Sequence, residues 1–478
     1  MHTYEKLFIG GEWVEPSGAD VIEVHSPYSH ELVGRVPEGT NADVDGAVAA
    51  ARRAFDTGPW PRLDPVERAE VVQKLSDLYA ARLDDFAQII TAEMGSPMLF
   101  SQMAQAPMPQ VMLQYFVDLA RTYPFEERRD GVFGPMLVRR EPVGVVGAIV
   151  PWNVPQFVSM SKIAPALVSG STIVIKPAPE TPLDMFLLAE LVAEAGIPEG
   201  VFNVVPAGRE VGEHLVTHPG VDKIAFTGST AAGRRIAALC GEQLKRCSLE
   251  LGGKSAAIVL ADADPATTVP GLEFSGLMNN GQACVAQTRI LVPRSGYDTW
   301  VEAIAEMGRR QVTGDPTDMT TTLGPLVAER QRDRVESYID IGKAEGARIV
   351  AGGGRPDIDT GWFVEATVFA DVDNSMRIAQ EEIFGPVLCV IPYDDEADAI
   401  RIANDSEYGL AGSVWTADTD RGLDVARQVR TGTFGINQYL MDFTSPFGGF
   451  KASGLGREFG PEGLAAYLEP KSIALPAG

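Results

Sequence analysis

Histidine is scarce in this chain of 478 residues: His2, His25, His30, His214 and His218 are the five, and all lie well before Cys284. A Cys-His dyad at Cys284 therefore needs a partner from far upstream, and a carboxylate base is the simpler expectation. Cysteine is nearly as rare. The four, Cys240, Cys247, Cys284 and Cys389, show no CxxC spacing, which argues against a zinc site or a disulfide framework and suits reduced thiols. Long apolar runs are missing too, since the longest, Val143 to Trp152, is about half of what spans a bilayer. Met1 to Gly11 has no basic start, apolar run or small-residue cleavage site, so a signal peptide is not expected there. Basic residues are in deficit, 40 against 65 acidic, and a net charge of -25 opposes nucleic acid or an anionic membrane as partner. These absences point to a cytoplasmic protein.

The composition, 45% hydrophobic and 22% charged, is that of an ordinary α/β protein, and no repeat, low-complexity tract or Pro/Ser-rich linker divides the chain. Its length favours about two to four domains joined by short connections. The first third reads mainly as helix: Val44 to Phe55, Pro65 to Ile90 and Met103 to Arg121 carry apolar residues at three- and four-residue spacings. From Val143 short β-branched runs alternate with helical segments. Strands are expected at Gly144 to Val150, Thr172 to Lys176, Val201 to Val205 and Lys223 to Phe226, with helices at Leu183 to Ala195 and Thr230 to Leu239. This alternation predicts a doubly wound parallel sheet. It restarts after Gly253, with strand candidates at Ala256 to Leu260, Arg289 to Val292, Arg348 to Val350, Val387 to Ile391 and Gly412 to Trp415, which predicts a second α/β domain. Tyr123 to Glu141 and the tail Ala465 to Ile473 are candidates to pair outside the two main sheets.

Several segments carry candidate chemistry. Phe226-Thr227-Gly228-Ser229-Thr230 follows a strand and opens a helix, so its free N–H groups suit a pyrophosphate, although the GxGxxG spacing is missing and a ligand-free turn is an equal reading. Gly454 to Gly460 follows no expected strand, and Gly252-Gly253-Lys254-Ser255 has Ser248 where a P-loop needs its first glycine, so both read as turns. His214 and His218 share a helical face without the glutamate of HExxH or a third ligand, and no metal is expected. A lone cysteine is usually a buried apolar thiol, and Cys240, Cys247 and Cys389 keep that reading. Cys284 differs. The polar, turn-forming Asn279-Asn280-Gly281-Gln282 before it places the thiol at a helix-to-strand junction whose N–H groups favour thiolate. Glu250 sits in an apolar strand, Ser248 to Leu251, beside two glycines, where burial raises its pKa toward neutrality and makes it a usable general base.

Taken in order, Pro151-Trp152-Asn153-Val154-Pro155, Lys176-Pro177-Ala178, Phe226-Thr227-Gly228-Ser229-Thr230, Glu250-Leu251-Gly252-Gly253-Lys254, Gly281-Gln282-Ala283-Cys284, Glu381-Glu382-Ile383-Phe384-Gly385-Pro386 and Pro446-Phe447-Gly448-Gly449-Phe450-Lys451 resemble the aldehyde dehydrogenase superfamily. The resemblance starts near Phe8 to Trp13 and reaches the carboxyl-terminal strand. It implies an α/β aldehyde dehydrogenase-like fold with two doubly wound parallel-sheet domains: residues 1–121 and 141–252 as an NAD(P)-binding domain, 253–452 as the catalytic domain, and 122–140 with 453–478 as an oligomerisation arm and tail. A homodimer or homotetramer follows from that arm.

The resemblance further implies that Cys284 attacks an aldehyde, that the Asn153 amide and the Cys284 N–H hold the oxyanion, and that Glu250 activates the water that releases the acid. Glu458 is similar to a second acidic position that helps relay protons. Cofactor contacts are implied for Val150, Pro151, Trp152, Lys176, Pro179, Gly208, Phe226, Gly228, Ser229, Leu251, Glu382 and Phe384. Pro179 stands where NAD-preferring relatives often carry a glutamate that repels a 2′-phosphate, so NAD is expected with NADP still open. Phe157, Val158, Ser161, Tyr439, Met441 and Phe447 resemble the substrate tunnel, and their character suggests a medium-sized apolar or aromatic aldehyde. The rival readings are a coenzyme A-acylating semialdehyde dehydrogenase, which typically lacks the Glu250 carboxylate, a thioesterase without redox chemistry, and a non-catalytic protein on the same fold.

Overall fold

The computed structural model describes residues 2–476. Local chemistry starts the early helices: Thr40 and Asp43 form a capping box ahead of Asn41–Asp56, and Asp64 and Glu67 form another ahead of Pro65–Ala80, with Pro65 in the first turn. The single helix expected from Pro65 to Ile90 is in fact two, because the chain stops at Ala80 and restarts at Leu83–Met94 through the non-helical Arg82. Periodicity hides this break. The apolar stripe runs across it, with Tyr79 stacked on Phe86 at 4.1 Å between ring centroids. The helix expected from Met103 likewise divides into a π-helical turn, Ser101–Gln105, and Pro107–Thr122, since Pro107 has no N–H to continue the ladder. The first third also holds short strands, Leu7–Ile9, Glu12–Val14, Val21–His25 and Leu32–Pro37, that the helical reading passed over.

The first large sheet has eight strands. Its parallel centre runs, in space, Arg246–Glu250, Lys223–Thr227, Val145–Ile149, Thr172–Lys176 and Phe202–Val204. Every residue of Val145–Ile149 and of Thr172–Lys176 is buried, as expected for strands covered on both faces. The order reverses between Val145–Ile149 and Lys223–Thr227. In open α/β sheets the crevice at the carboxyl ends beside such a reversal is where ligands bind. Glu250 ends its strand at this same edge, and Gly252 to Ser255 leads directly into Ala256–Val259 of the second sheet. That sheet has seven strands, all parallel except Arg348–Ala351, and includes Thr367–Ala370, which the sequence reading did not anticipate.

A third, three-stranded sheet stands apart: the hairpin Glu126–Gly131 and Gly134–Pro142 pairs antiparallel with Leu468–Ala474. The rest of the carboxyl-terminal region does not all join it. Gly454–Leu455 pairs with Leu249 and Glu250 at the edge of the first large sheet, so the segment expected as arm and tail from residue 453 is split between two sheets.

Glu93 accepts N–H bonds from Leu183 (2.9 Å) and Asp184 (3.3 Å), while neither oxygen of the buried Asp184 has a hydrogen-bond partner. Burial, and for Glu93 also the neighbouring Asp184, pushes both carboxyls up, Asp184 from 3.8 to about 8. A carboxyl raised on folding contributes stability at low pH that is lost as pH climbs from its unfolded value toward its folded one. Asp184→Asn is therefore expected to raise stability at pH 8 by about 1–3 kcal/mol and to leave it almost unchanged near pH 4. Urea midpoints at the two pH values check this, and equal changes at both would contradict it.

Candidate active site

Cys284 lies between the helix Pro265–Leu277 and the strand Arg289–Pro293, just past a turn in which Asn279 and Asn280 have φ of 55° and 62°. Their side chains tie the turn down. The Asn279 amide donates to the main-chain oxygens of Asn153 (2.8 Å) and Gln282 (3.4 Å), and the Asn280 amide to those of Gly95 (3.0 Å) and Pro325 (2.9 Å). The Asn280 side-chain oxygen accepts from Gly324 at 2.6 Å. Asn153 is buried and donates from Nδ2 to the Gln282 carbonyl at 2.8 Å, which uses one of its two amide protons. Gln105, delivered by the π-helical turn, donates to the Asn153 carbonyl (3.3 Å) and the Asn279 side chain (3.0 Å).

The carboxylates have distinct surroundings. Both oxygens of Glu250 are buried without a hydrogen-bond partner, and burial first, then the nearby Glu458, raises its pKa well above the usual range against the opposing pull of Lys162 and Arg457. Gly448 makes room for it: at φ +152°, a Cβ there would lie 2.8 Å from Glu250 Oε1. Glu458 is bound to Lys162, whose fully buried ammonium donates to it at 2.6 Å and to Thr227 Oγ1 at 2.8 Å. The third is Glu382, pushed up to about 7 by burial while it accepts the Gly253 N–H at 2.9 Å.

One expectation is reversed. The N–H groups of Cys284 and Val285 do favour the thiolate, but burial, helped by the charges of Glu382 and Glu250, outweighs them and pushes the thiol up to about 12. With its pKa held that high, Cys284 is expected as the thiol near neutral pH.

A cavity of about 190 Å³ gathers Cys284, Glu250, Asn153 and Glu458 with all the tunnel candidates, Phe157, Val158, Ser161, Tyr439, Met441 and Phe447. Its wall adds Phe100, Met108, Phe274, Met278, Leu440, Phe443 and Phe459, which the sequence reading missed. Phe459 packs edge-on to both Phe157 and Phe443, with centroids 5.8 and 5.2 Å apart. The Ser161 hydroxyl is spent on the Val158 carbonyl at 2.7 Å.

A second cavity, about 460 Å³, lies between the helices Arg209–Thr217 and Thr230–Glu242 and is walled by Lys176, Arg209, Gly212, Phe226, Arg235 and Ile236, among others. Lys176, lowered to about 8 by burial, donates to the Ala207 carbonyl at 2.8 Å. Gly208 and Ser229 are the residues that begin the two helices, and the Ser229 hydroxyl accepts the Ala232 N–H at 3.3 Å. Gly228 donates to the Glu250 carbonyl (3.0 Å) and Val150 to that of Lys176 (3.2 Å), while Leu251 fills the space over Gly233. Pro151 leads to Trp152, whose ring meets Phe384 edge-on at 5.4 Å. Pro179 lends no acid, but Glu180, ion-paired with Arg330, and Glu38, 3.5 Å from a Cβ placed on Gly208, both act on the Lys176 ammonium. His214 and His218 both face Asp45, at 2.6 and 3.4 Å.

Two sheets that meet at their connecting ends, with a half-buried thiol and a buried amide and carboxylate between them and a nucleotide-sized crevice behind, define a class of enzyme that known relatives identify. The aldehyde dehydrogenase family model matches residues 13–473, and the chain belongs to this family. It is 49% identical to the geranial dehydrogenase of Castellaniella defragrans over 473 residues, 99% of both chains. It is 44% identical to a 3-succinoylsemialdehyde-pyridine dehydrogenase of Pseudomonas over 480 residues, again 99% of both. Among solved structures, a Mycobacterium tuberculosis aldehyde dehydrogenase complexed with NAD+ superposes with a TM-score of 0.99 at 54% identity, covering 100% of this chain and 99% of that one. Aldehyde dehydrogenase C of Pseudomonas syringae, a mutant complexed with NAD+ and octanal, gives 0.96 at 41% identity over 99% and 98%.

Proposed function

We propose that this chain oxidises a medium-sized apolar aldehyde to the free carboxylic acid with NAD, through a thioester on Cys284. The observation that carries this reading is the convergence of Cys284, the Asn153 amide and the unpartnered Glu250 carboxylate in one apolar cavity. The second cavity fits a dinucleotide: two helix N-termini, the buried Lys176 and the close approach at Gly212, where a Cβ would come within 3.2 Å of Lys176, leave room for an adenosine and its phosphates. Lys176 would hold the adenine ribose, Gly208 and Ser229 would border the phosphates, and Glu382 would hold the second ribose near Cys284. Bound there, NAD would supply the hydride acceptor that the oxidation needs.

The chain's own residues do the rest. Cys284 adds to the carbonyl carbon, and the oxyanion takes hydrogen bonds from the free Asn153 amide proton and the Cys284 N–H. Glu250 then removes a proton from the water that attacks the thioester, and Glu458 with Lys162 lies beside it to pass that proton outward. Retention of Glu250 favours hydrolysis over transfer to coenzyme A, so turnover is expected without coenzyme A. Glu38 and Glu180 place negative charge around Lys176 in place of the acid missing at Pro179, which supports NAD over NADP.

Substrate choice follows from the wall. Among the described residues that line the tunnel there is no cationic side chain to pair a distal carboxylate, and a dry pocket penalises an unpaired charge. A medium-chain alkyl aldehyde or benzaldehyde is expected to exceed succinate semialdehyde in kcat/KM by ~100-fold or more. Initial rates at 340 nm with NAD check this, and a preference for succinate semialdehyde would overturn it.

The separate hairpin sheet, with Val132 and Phe133 fully exposed at its tip, supports assembly into a homodimer or homotetramer through that arm. No helix of the described residues is long and apolar enough to cross a membrane, and a cytoplasmic setting fits the free thiols.

A further inference from the structure

Four phenylalanines from distant parts of the chain meet in the wall of the tunnel: Phe157 on the helix Pro155–Ser169, Phe443 and Phe447 in the segment between the strands Gly435–Ile436 and Phe450–Lys451, and Phe459 just ahead of the helix Gly460–Ala465. Phe459 is the hub. Its ring lies edge-on to Phe157 and Phe443, at 89° and 88°, and is tilted by 34° to Phe447 with centroids 5.3 Å apart. Phe157 in turn meets Phe443 at 5.9 Å. Phe459 is only 1% exposed, whereas Phe157 is half-buried, so the hub backs the wall more than it faces the cavity. The backbone locks this arrangement. Phe447 and Glu458 exchange N–H···O bonds of 2.7 Å in both directions, Gly460 donates to the Phe443 carbonyl at 2.9 Å, and Gly463 donates to the carbonyl of Phe459 itself at 2.7 Å. Between these anchors Phe459 sits at φ +58° and ψ 170°, a region that residues bearing a side chain rarely enter and keep only where their surroundings over-determine it. One helical turn beyond Phe157, Ser161 leaves a gap in the same wall, its hydroxyl turned back onto the Val158 carbonyl at 2.7 Å.

We propose that Phe459 is a specificity-determining positioning residue: by fixing Phe157, Phe443 and Phe447 as one rigid aromatic face beside Ser161, it makes the tunnel select aldehydes that carry a flat π-system over saturated analogues with the same skeleton. The inference deepens the aldehyde oxidation proposed above and rests on it. Two effects act in the same direction. An aryl group takes edge-to-face contacts with rings that are already held at steep angles to one another, an attraction beyond buried area that a saturated ring does not make. A wall whose ring-bearing residues are hydrogen-bonded to one another also resists spreading, so the misfit of a thicker, puckered ring is not relieved by repacking. Glu458 and Phe459, successive residues, then serve different ends: the carboxyl stays on Lys162 while the ring next to it shapes the tunnel.

The pair 3-phenylpropanal and 3-cyclohexylpropanal tests this, because the two share a carbon skeleton and an unconjugated carbonyl and differ at the ring alone. With the full-length protein and NAD, kcat/KM from initial rates is expected to favour the phenyl compound by about tenfold. Phe459→Leu is expected to bring the two values within about twofold of each other, and Phe157→Leu, which removes one presented ring and leaves the turn at Phe459 intact, to lower the preference part of the way. The ratio is the decisive reading. A variant that has only lost folded enzyme loses both rates alike, and kcat/KM is set by the steps up to hydride transfer, ahead of the deacylation that Glu458 serves. Equal values for the two compounds in wild type, a preference for the cyclohexyl compound, or turnover of octanal but of neither ring compound overturns the proposal on wild type alone. A wild-type preference that persists undiminished in Phe459→Leu overturns the role of Phe459. No reduction of NAD with either compound or with octanal would contradict the proposed reaction itself, and this inference with it.

Discussion

Cys284→Ala is expected to abolish aldehyde-dependent reduction of NAD, by at least ~10⁴-fold in kcat/KM, with no loss of thermal stability. Without the sulfur no thiohemiacetal forms, so no carbon bears both the hydride and the oxyanion that expels it. The half-buried thiol makes little packing contribution that alanine would forfeit, and the turn around it is held by Asn279 and Asn280 rather than by sulfur. The wild-type rate carries a second signature. Because burial, Glu382 and Glu250 raise the thiol in the free enzyme, the thiolate fraction grows about tenfold per pH unit below its pKa. The kcat/KM is therefore expected to rise with pH through the neutral range. A flat profile from pH 6 to 9 would mean that thiol deprotonation does not limit the reaction.

Glu250→Gln separates the two halves of the cycle. The expected result is a burst of one reduced cofactor per subunit, followed by a steady rate ~10²–10⁴-fold below wild type. Glutamine keeps the shape of the side chain but accepts no proton from water, so acyl transfer to Cys284 proceeds and deacylation stalls. The same exchange removes a buried carboxyl whose oxygens have no hydrogen-bond partner, and the thermal midpoint should hold or rise. If the burst itself disappeared, Glu250 would be needed to deprotonate the thiol, and the division of labour between it and Cys284 would have to be redrawn. A Glu458→Gln variant is expected to slow the steady rate less, because it touches the outward path of the proton and not the attacking water.

What could be read from the sequence depended on how local the cause was. The strand-to-helix turn at Thr227 to Thr230 and the strands Thr172–Lys176 and Val387–Tyr393 announce themselves through neighbouring residues, and the structure has them within a residue or two. Lys162 carries a signal of its own: a lysine inside the apolar run of Pro155–Ser169 must find an anion, and it finds Glu458, far along the chain. Gln105 was less accessible. Its place under Asn153 depends on a π-helical turn forced by the prolines that follow, and helical periodicity averages over such a turn. The sign of the Cys284 shift was out of reach for a different reason. Local N–H groups are visible in sequence, whereas the opposing burial and the approach of Glu382 arise only when the two sheets close on each other.

The most direct test of the central claim is to quench Glu250→Gln within seconds of mixing with NAD and octanal and to weigh the proteolytic peptides. The account predicts that the peptide containing Cys284 gains the mass of the octanoyl group, at about one equivalent per subunit, and that no other cysteine does. An unmodified Cys284 peptide alongside a full equivalent of reduced cofactor would show hydride transfer without a thioester and would contradict the mechanism.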